Sequence, residues 1–96
     1  MQLREQLDDV KDQESLLRFV HALVKDREEA VISEKKSPSS PYGPDAGGWE
    51  NITIEQFLES AAAWAESTKF GETQGLSPTN PWKQFGVFLY CGKIYE

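Results

Sequence analysis

The sequence predicts an all-α protein, a small irregular bundle of three main helices at about 13–33, 54–67 and 81–95, joined by two long loops. Apolar residues recur at helical spacing in each segment. A residue suited to capping a helix precedes each one, and no segment alternates apolar and polar residues as a half-buried strand does. The 96 residues are therefore predicted to form one small helical domain, 1–96.

The first main helix is predicted from a cap followed by an apolar stripe. Asp12 stands at the N-cap, where a carboxylate can accept hydrogen bonds from the free N–H groups of the first turn. The residues ahead of it, Leu3, Leu7 and Val10, indicate a short lead-in helix. The stripe has the i, i+3, i+4, i+7, i+8 spacing of a face packed on a core; it consists of Leu16, Phe19, Val20, Leu23 and Val24.

Two irregular connections are predicted. Residues 35–48, KKSPSSPYGPDAGG, contain three prolines and three glycines, so neither a helix nor a strand can persist there. This Pro/Gly/Ser-rich loop is either a disordered link or a loop held in place by Tyr42. We expect Ser37–Gly47 within it to be mobile and to be the first site of limited proteolysis. The second connection, Ser67–Asn80, contains two glycines and a proline.

The second main helix is predicted within the stretch WENITIEQFLESAAAWAES. Thr53 stands at the N-cap, and Gln56 three residues later completes a capping box. One face is apolar, and at 100° per residue three glutamates fall on the opposite face. The apolar face contains Ile54, Phe57, Leu58, Ala61, Trp64 and Ala65, and the acidic face contains Glu55, Glu59 and Glu66.

The third main helix begins with Asn80 as its cap and Pro81 at its first position. It is apolar on nearly all sides, which predicts that it is the most buried of the three. Gly86 and Gly92 each cost about 1 kcal/mol relative to alanine, which predicts the close approach of another helix. The predicted core is Leu16, Phe19, Val20, Leu23, Ile54, Phe57, Leu58, Ala61, Trp64, Trp82, Phe85, Phe88, Leu89 and Ile94.

The charge is unevenly distributed. The net charge is −6, and between Ser37 and Thr68 there are five acidic residues and no Lys or Arg. This region would repel nucleic acid and anionic membranes and would attract a basic protein partner; the alternative is an acidic surface that only maintains solubility. The first residues lack the apolar region of a signal peptide, and a single cysteine fits a reducing compartment. We expect a cytoplasmic protein that binds neither nucleic acid nor a membrane.

The residues predict no enzyme, no cofactor and no metal site. His21 and Cys91 are the only soft ligands, and they are far apart on different helices. Glu55 and Glu59 are one turn apart, but on a convex polar face that cannot desolvate one of them as acid–base catalysis requires. No glycine-rich phosphate loop follows a strand.

The candidate binding residues cluster around the start of the second helix. Trp49 has two interpretations, as a residue that fills the edge of the core or as an interface anchor. Asn51 and Thr53 have a local role in starting the helix. If the protein acts by binding, the surface predicted for a cationic partner comprises the acidic residues Asp45, Glu50, Glu55, Glu59 and Glu66. Trp49, Glu50 and Asn51 are a separate candidate binding site, to be considered if the acidic surface only maintains solubility.

Three stretches, LLRFVHALVKD, WENITIEQFLESAAAW and PWKQFGVFLYCGKIYE, resemble a family of small bacterial proteins known only as a domain of unknown function. The shared pattern is Trp-Glu-Asn-x-Thr, then Phe-Leu-Glu, Ala-Trp, a Trp-led last helix and a terminal Tyr-Glu. Ser60, Gly86 and Gly92 depart from it, where alanine is usual. No residue role comes with the resemblance. Proteins of this size and character often look like immunity proteins, which neutralise a toxin by binding it.

Two function classes therefore stay open. The first is a small acidic protein-binding domain, including an immunity-type protein whose toxin partner is basic. The second is a ligand-binding or enzymatic domain with a pocket between the helices. A gene for a large secreted toxin nearby would favour the first class, and an enclosed polar pocket containing His21 or Cys91 would favour the second.

Overall fold

The computed structural model describes residues 2–36 and 47–95. The predicted all-α fold of three main helices is confirmed, and the lead-in segment forms a fourth, short helix. The part of the predicted 35–48 loop between residues 37 and 46 lies outside the described residues. The elements are α1 (Leu3–Asp8), α2 (Gln13–Lys36), α3 (Ile54–Thr68), a 3-10 turn (Glu72–Gln74) and α4 (Pro81–Ile94).

The predicted N-caps are present at all three main helices. The Asp12 carboxylate accepts hydrogen bonds from the backbone N–H of Ser15 at 2.8 Å and from the Ser15 hydroxyl at 2.7 Å. These hydrogen bonds, the backbone one first, lower the pKa of the Asp12 carboxyl below its usual value. Thr53 and Asn80 accept from backbone N–H groups in the same way at α3 and α4. Local sequence therefore determines where each main helix begins.

The last helix, α4, lies at the centre and packs against α1, α2 and α3. Its glycines mark the closest approaches, as predicted. A Cβ on Gly92 would lie 2.8 Å from the Phe57 ring of α3, and a Cβ on Gly86 would lie 3.1 Å from the Leu7 side chain of α1. Glycine at these positions lets the neighbouring side chains reach the backbone of α4.

The core differs from the predicted one. Five residues predicted to be buried are exposed: Ile54 (76%), Leu58 (54%), Trp82 (40%), Phe85 (45%) and Ile94 (38%). Val24, part of the predicted stripe of α2, is also exposed. The buried apolar residues are Leu7, Val10, Leu16, Phe19, Leu23, Ala30, Trp49, Ala61, Trp64, Ala65 and Cys91.

The arrangement of the helices explains these errors. Both α2 and α3 pack on α4, but no Cα of α2 comes within 8 Å of a Cα of α3, and both helices lie wholly within the described residues. The buried face of α3 is therefore narrow, and Ile54 and Leu58 stand beside it. On α4, α1 and α3 leave one side of the first turns uncovered, where Trp82 and Phe85 are exposed.

The second connection folds back on Trp64. The Trp64 indole N–H donates to the Gln74 side chain at 2.9 Å. The Thr68 hydroxyl accepts from the Gly71 N–H at 2.8 Å, and Gly71 has a φ of 86°, which favours glycine. Within the described part of the chain, no helix is both long and apolar enough to cross a membrane.

Candidate functional site

Trp49 lies in the core, as the first of the two interpretations of this residue predicts. It is 5% exposed and stacks on Phe57 of α3, with 6.2 Å between the ring centroids. Its indole N–H donates to the Asp26 carboxylate of α2 at 3.0 Å, and the same carboxylate oxygen accepts from the Lys93 ammonium of α4 at 2.7 Å. Asp26 thus joins the segment before α3 to both α2 and α4.

Lys93 is a charged residue that this arrangement buries. The residue is 7% exposed, and its ammonium lies 5.4 Å from the centroid of the Trp49 ring. Arg27 approaches the same ring to 5.3 Å. A buried cation is costly unless it is paired and hydrogen-bonded, and here the carboxylate and the indole face provide that environment.

Asn51 has a tertiary role, which corrects the local role predicted for it. Its side-chain amide donates to the carbonyl oxygens of Gly92 at 3.0 Å and Tyr95 at 2.9 Å. The backbone N–H groups of Glu50 and Asn51 both donate to the Lys93 carbonyl, at 3.0 and 3.4 Å. The last carbonyls of a helix have no partner within it. Residues 50–51 therefore cap the C-terminal end of α4, and this contact is called the Asn51 cap below.

The gap between α2 and α3 forms an apolar groove of about 380 Å³, here called the α2–α3 groove. Trp49 and Phe57 form its floor. The exposed side chains of Val24, Ile54 and Leu58 stand along its two walls. The other lining residues are Leu23, Arg27, Glu28, Asn51, Ile52 and Thr53.

The predicted acidic face of α3 is exposed. Glu55, Glu59 and Glu66 all point away from the core, on the side of α3 next to the groove wall formed by Ile54 and Leu58. Glu50 is half-buried at the Asn51 cap. Asp45 lies outside the described residues.

A second exposed apolar surface lies at the other end of the molecule. The ring of Phe88 stacks on Phe70 at 5.6 Å and on Phe85 at 5.9 Å between centroids. Phe70 and Phe85 are each about half exposed, as is Trp82 nearby. The sequence pattern does not reveal this aromatic patch, because it predicts that the α4 residues of the patch lie in the core.

The residues considered for catalysis and metal binding stay apart. His21 is exposed on α2, whereas Cys91 is buried in α4. Burial raises the pKa of the Cys91 thiol to about 11, so the reactive thiolate is scarce at neutral pH. The described residues contain no group of three or more His, Cys, Asp or Glu side chains that could hold a metal ion.

Comparison with known proteins identifies a family but no better-characterised relative. Neither the search of curated proteins nor the search of solved structures gave a match. The model of a family of unknown function, DUF7660, matches residues 12–96, which span α2, α3, α4 and both long connections. The chain belongs to this family of unknown function.

Proposed function

We propose that this protein is a binding domain for a cationic protein partner, which it contacts through the α2–α3 groove and the acidic face of α3. One observation carries the proposal: Ile54 and Leu58, which the sequence pattern would bury, are instead exposed next to the acidic face of α3. Exposed apolar groups rimmed by charge are typical of protein interaction sites.

Charge favours a basic partner over an acidic one. The chain has no Lys or Arg between Ser37 and Thr68, so no basic residue of α3 offsets Glu55, Glu59 and Glu66. Such a face accelerates the association of a cationic protein and repels nucleic acid. An immunity-type protein that neutralises a basic toxin is one form of this function.

The acidic face can be tested by charge removal. In the variant Glu55→Gln, Glu59→Gln, Glu66→Gln, we expect folding stability to change little, because exposed charges contribute little. We expect association with a partner captured from the native host to slow tenfold or more at low salt, and less at high salt, where ions screen the face over about 8–10 Å. Stopped-flow association at several salt concentrations measures both effects.

A matched variant controls for net charge. Glu5→Gln, Asp9→Asn, Glu72→Gln removes three exposed negative charges outside α3 and should leave most of the fast association intact. If the two variants slow association to the same extent, or if neither variant slows it, the acidic face only maintains solubility and the proposal is wrong.

A further inference from the structure

We infer that the partner segment seated in the α2–α3 groove is a basic amphipathic helix. This inference rests on the proposed function, since it specifies which part of a cationic protein the groove accepts. Four features of the groove support it: the separation of its walls, their helical form, the shortage of polar groups along them, and the charges beside them.

The two wall helices do not pack directly on each other. In a bundle of helices, neighbours that pack directly lie 8–10 Å apart. Here α2 and α3 both pack on α4 without a direct backbone approach to each other. The side chains of Trp49 and Phe57 close the bottom of the gap, and no other described residue covers its outer part.

The walls are ridges of helical side chains. Ile54 and Leu58 stand one turn apart on α3, and Val24 and Glu28 stand one turn apart on α2. Side chains spaced i, i+3 and i+4 on another helix fit between such ridges. A volume of about 380 Å³ accommodates a few large apolar side chains rather than a whole helix, so the occupant would lie across the mouth and insert one face.

The polarity of the groove also favours a helix over an extended peptide. A buried backbone N–H or C=O needs a hydrogen-bond partner, and a helix satisfies these groups internally. A peptide bound as a β-strand would need a strand edge to pair with, and the described residues contain no strand. The exposed wall residues Val24, Ile54 and Leu58 offer only apolar side chains.

The charges beside the groove indicate which side chains should flank the apolar face of the bound helix. Glu55 and Glu59 lie outside the α3 wall. On the α2 wall, Glu28 lies next to Arg27, whose guanidinium stands over the Trp49 ring. A helix seated on its apolar face would direct its flanking side chains towards these carboxylates. Lysine or arginine at those positions would form ion pairs at the polar rim, which improve specificity and association rate.

The probe for this inference is a labelled 18-residue peptide of leucine and lysine, with leucines at i, i+3, i+4 and i+7 spacing. A scrambled peptide of the same composition lacks the apolar face. We expect the amphipathic peptide to bind and become helical, as fluorescence anisotropy and circular dichroism would show, and the scrambled peptide to bind at least tenfold more weakly.

A pair of variants locates the binding. Ile54→Ser, Leu58→Ser should weaken binding of the amphipathic peptide tenfold or more, and both side chains are exposed enough for the fold to persist. The control Leu17→Ser, Ile32→Ser changes two exposed apolar residues of α2 that do not line the groove and should bind as the wild type does.

The outcomes separate the two proposals. If both peptides bind equally well to the wild type and neither binds to the glutamine variant of α3, the inference of a helical segment is wrong. The proposed cationic partner would still be supported. If neither peptide binds at low salt, both the helical segment and the cationic partner are contradicted. Stoichiometric binding of Nile red that Ile54→Ser, Leu58→Ser abolishes, without peptide binding, would assign the groove to a small apolar ligand and overturn the inference.

Discussion

The two ends of α4 are capped in opposite ways. At the N-terminal end, Asn80 accepts a hydrogen bond from the Lys83 N–H, three residues along the chain, at 3.1 Å. At the C-terminal end, Asn51 donates to the carbonyls of Gly92 and Tyr95, more than forty residues away. As a cap, the same residue type thus acts once as a local acceptor and once as a distant donor, and only the local cap is visible in sequence. The Asn80 amide also makes a long donation, of 3.4 Å, to the carbonyl of Val10.

The largest expected effect is at the C-terminal end, at the ion pair beside the Asn51 cap. Asp26→Ala leaves the Lys93 ammonium buried without its carboxylate, so we expect a loss of about 3 kcal/mol in the free energy of unfolding. Urea unfolding followed by tryptophan fluorescence measures it. Glu14→Ala, which breaks the exposed pair with Arg18, should cost less than about 0.5 kcal/mol. Equal losses would show that the Asp26 pair is no more than a surface contact.

The next effect compares aspartate at the two caps. Asn51→Asp removes the donor and places a negative charge near the negative end of the α4 dipole, so we expect a loss of about 2 kcal/mol. Asn80→Asp retains the acceptor at the positive end and loses only the long donation to the Val10 carbonyl, so it should cost less than about 1 kcal/mol. Thermal unfolding of the two variants measures the loss of stability at each cap. Similar losses at both positions would contradict the opposite roles given to the two amides.

A smaller effect is expected from the glycines that face the neighbouring helices. Gly92→Ala forces the Phe57 ring to move, which should outweigh the gain in helix propensity and cost about 1 kcal/mol. Gly86→Ala meets the flexible end of the Leu7 side chain and should be neutral or slightly stabilising. Chemical denaturation compares them, and Phe57→Leu should reduce the cost of Gly92→Ala. If Gly92→Ala stabilises the protein, the Phe57 ring of α3 does not pack closely against the backbone of α4 at Gly92.

The smallest expected effect is the dependence of folding stability on pH. The pKa of the Cys91 thiol is raised to about 11 by burial, so the folded state holds the proton to higher pH than the unfolded state. This contribution to stability is complete below about pH 9 and is lost as the pH rises towards 11, up to about 1 kcal/mol at pH 10. The difference in unfolding free energy between wild type and Cys91→Ala, measured from pH 8 to pH 10, isolates it. A constant difference would mean that the thiol is solvated in the folded state.

Much of the fold was predictable because its signals are local. Helix starts depend on a few consecutive residues, and the caps at Asp12, Thr53 and Asn80 all appear in the structure. The glycine positions of α4 also predicted close neighbours correctly. The candidate site was predicted less well: the glutamates of α3 are exposed as expected, but the groove beside them was not foreseen.

The sequence by itself determined the all-α class, the starts of the three main helices and the position of the acidic face. These follow from spacing along one helix and from hydrogen bonds within one turn. Only the tertiary structure decided that Asn51 caps α4, that Asp26 pairs with Lys93, and that Ile54 and Leu58 stand in an open groove. An apolar stripe shows which side of a helix prefers burial, but how much of it is covered depends on where the other helices pack, and here α2 and α3 leave a gap between them.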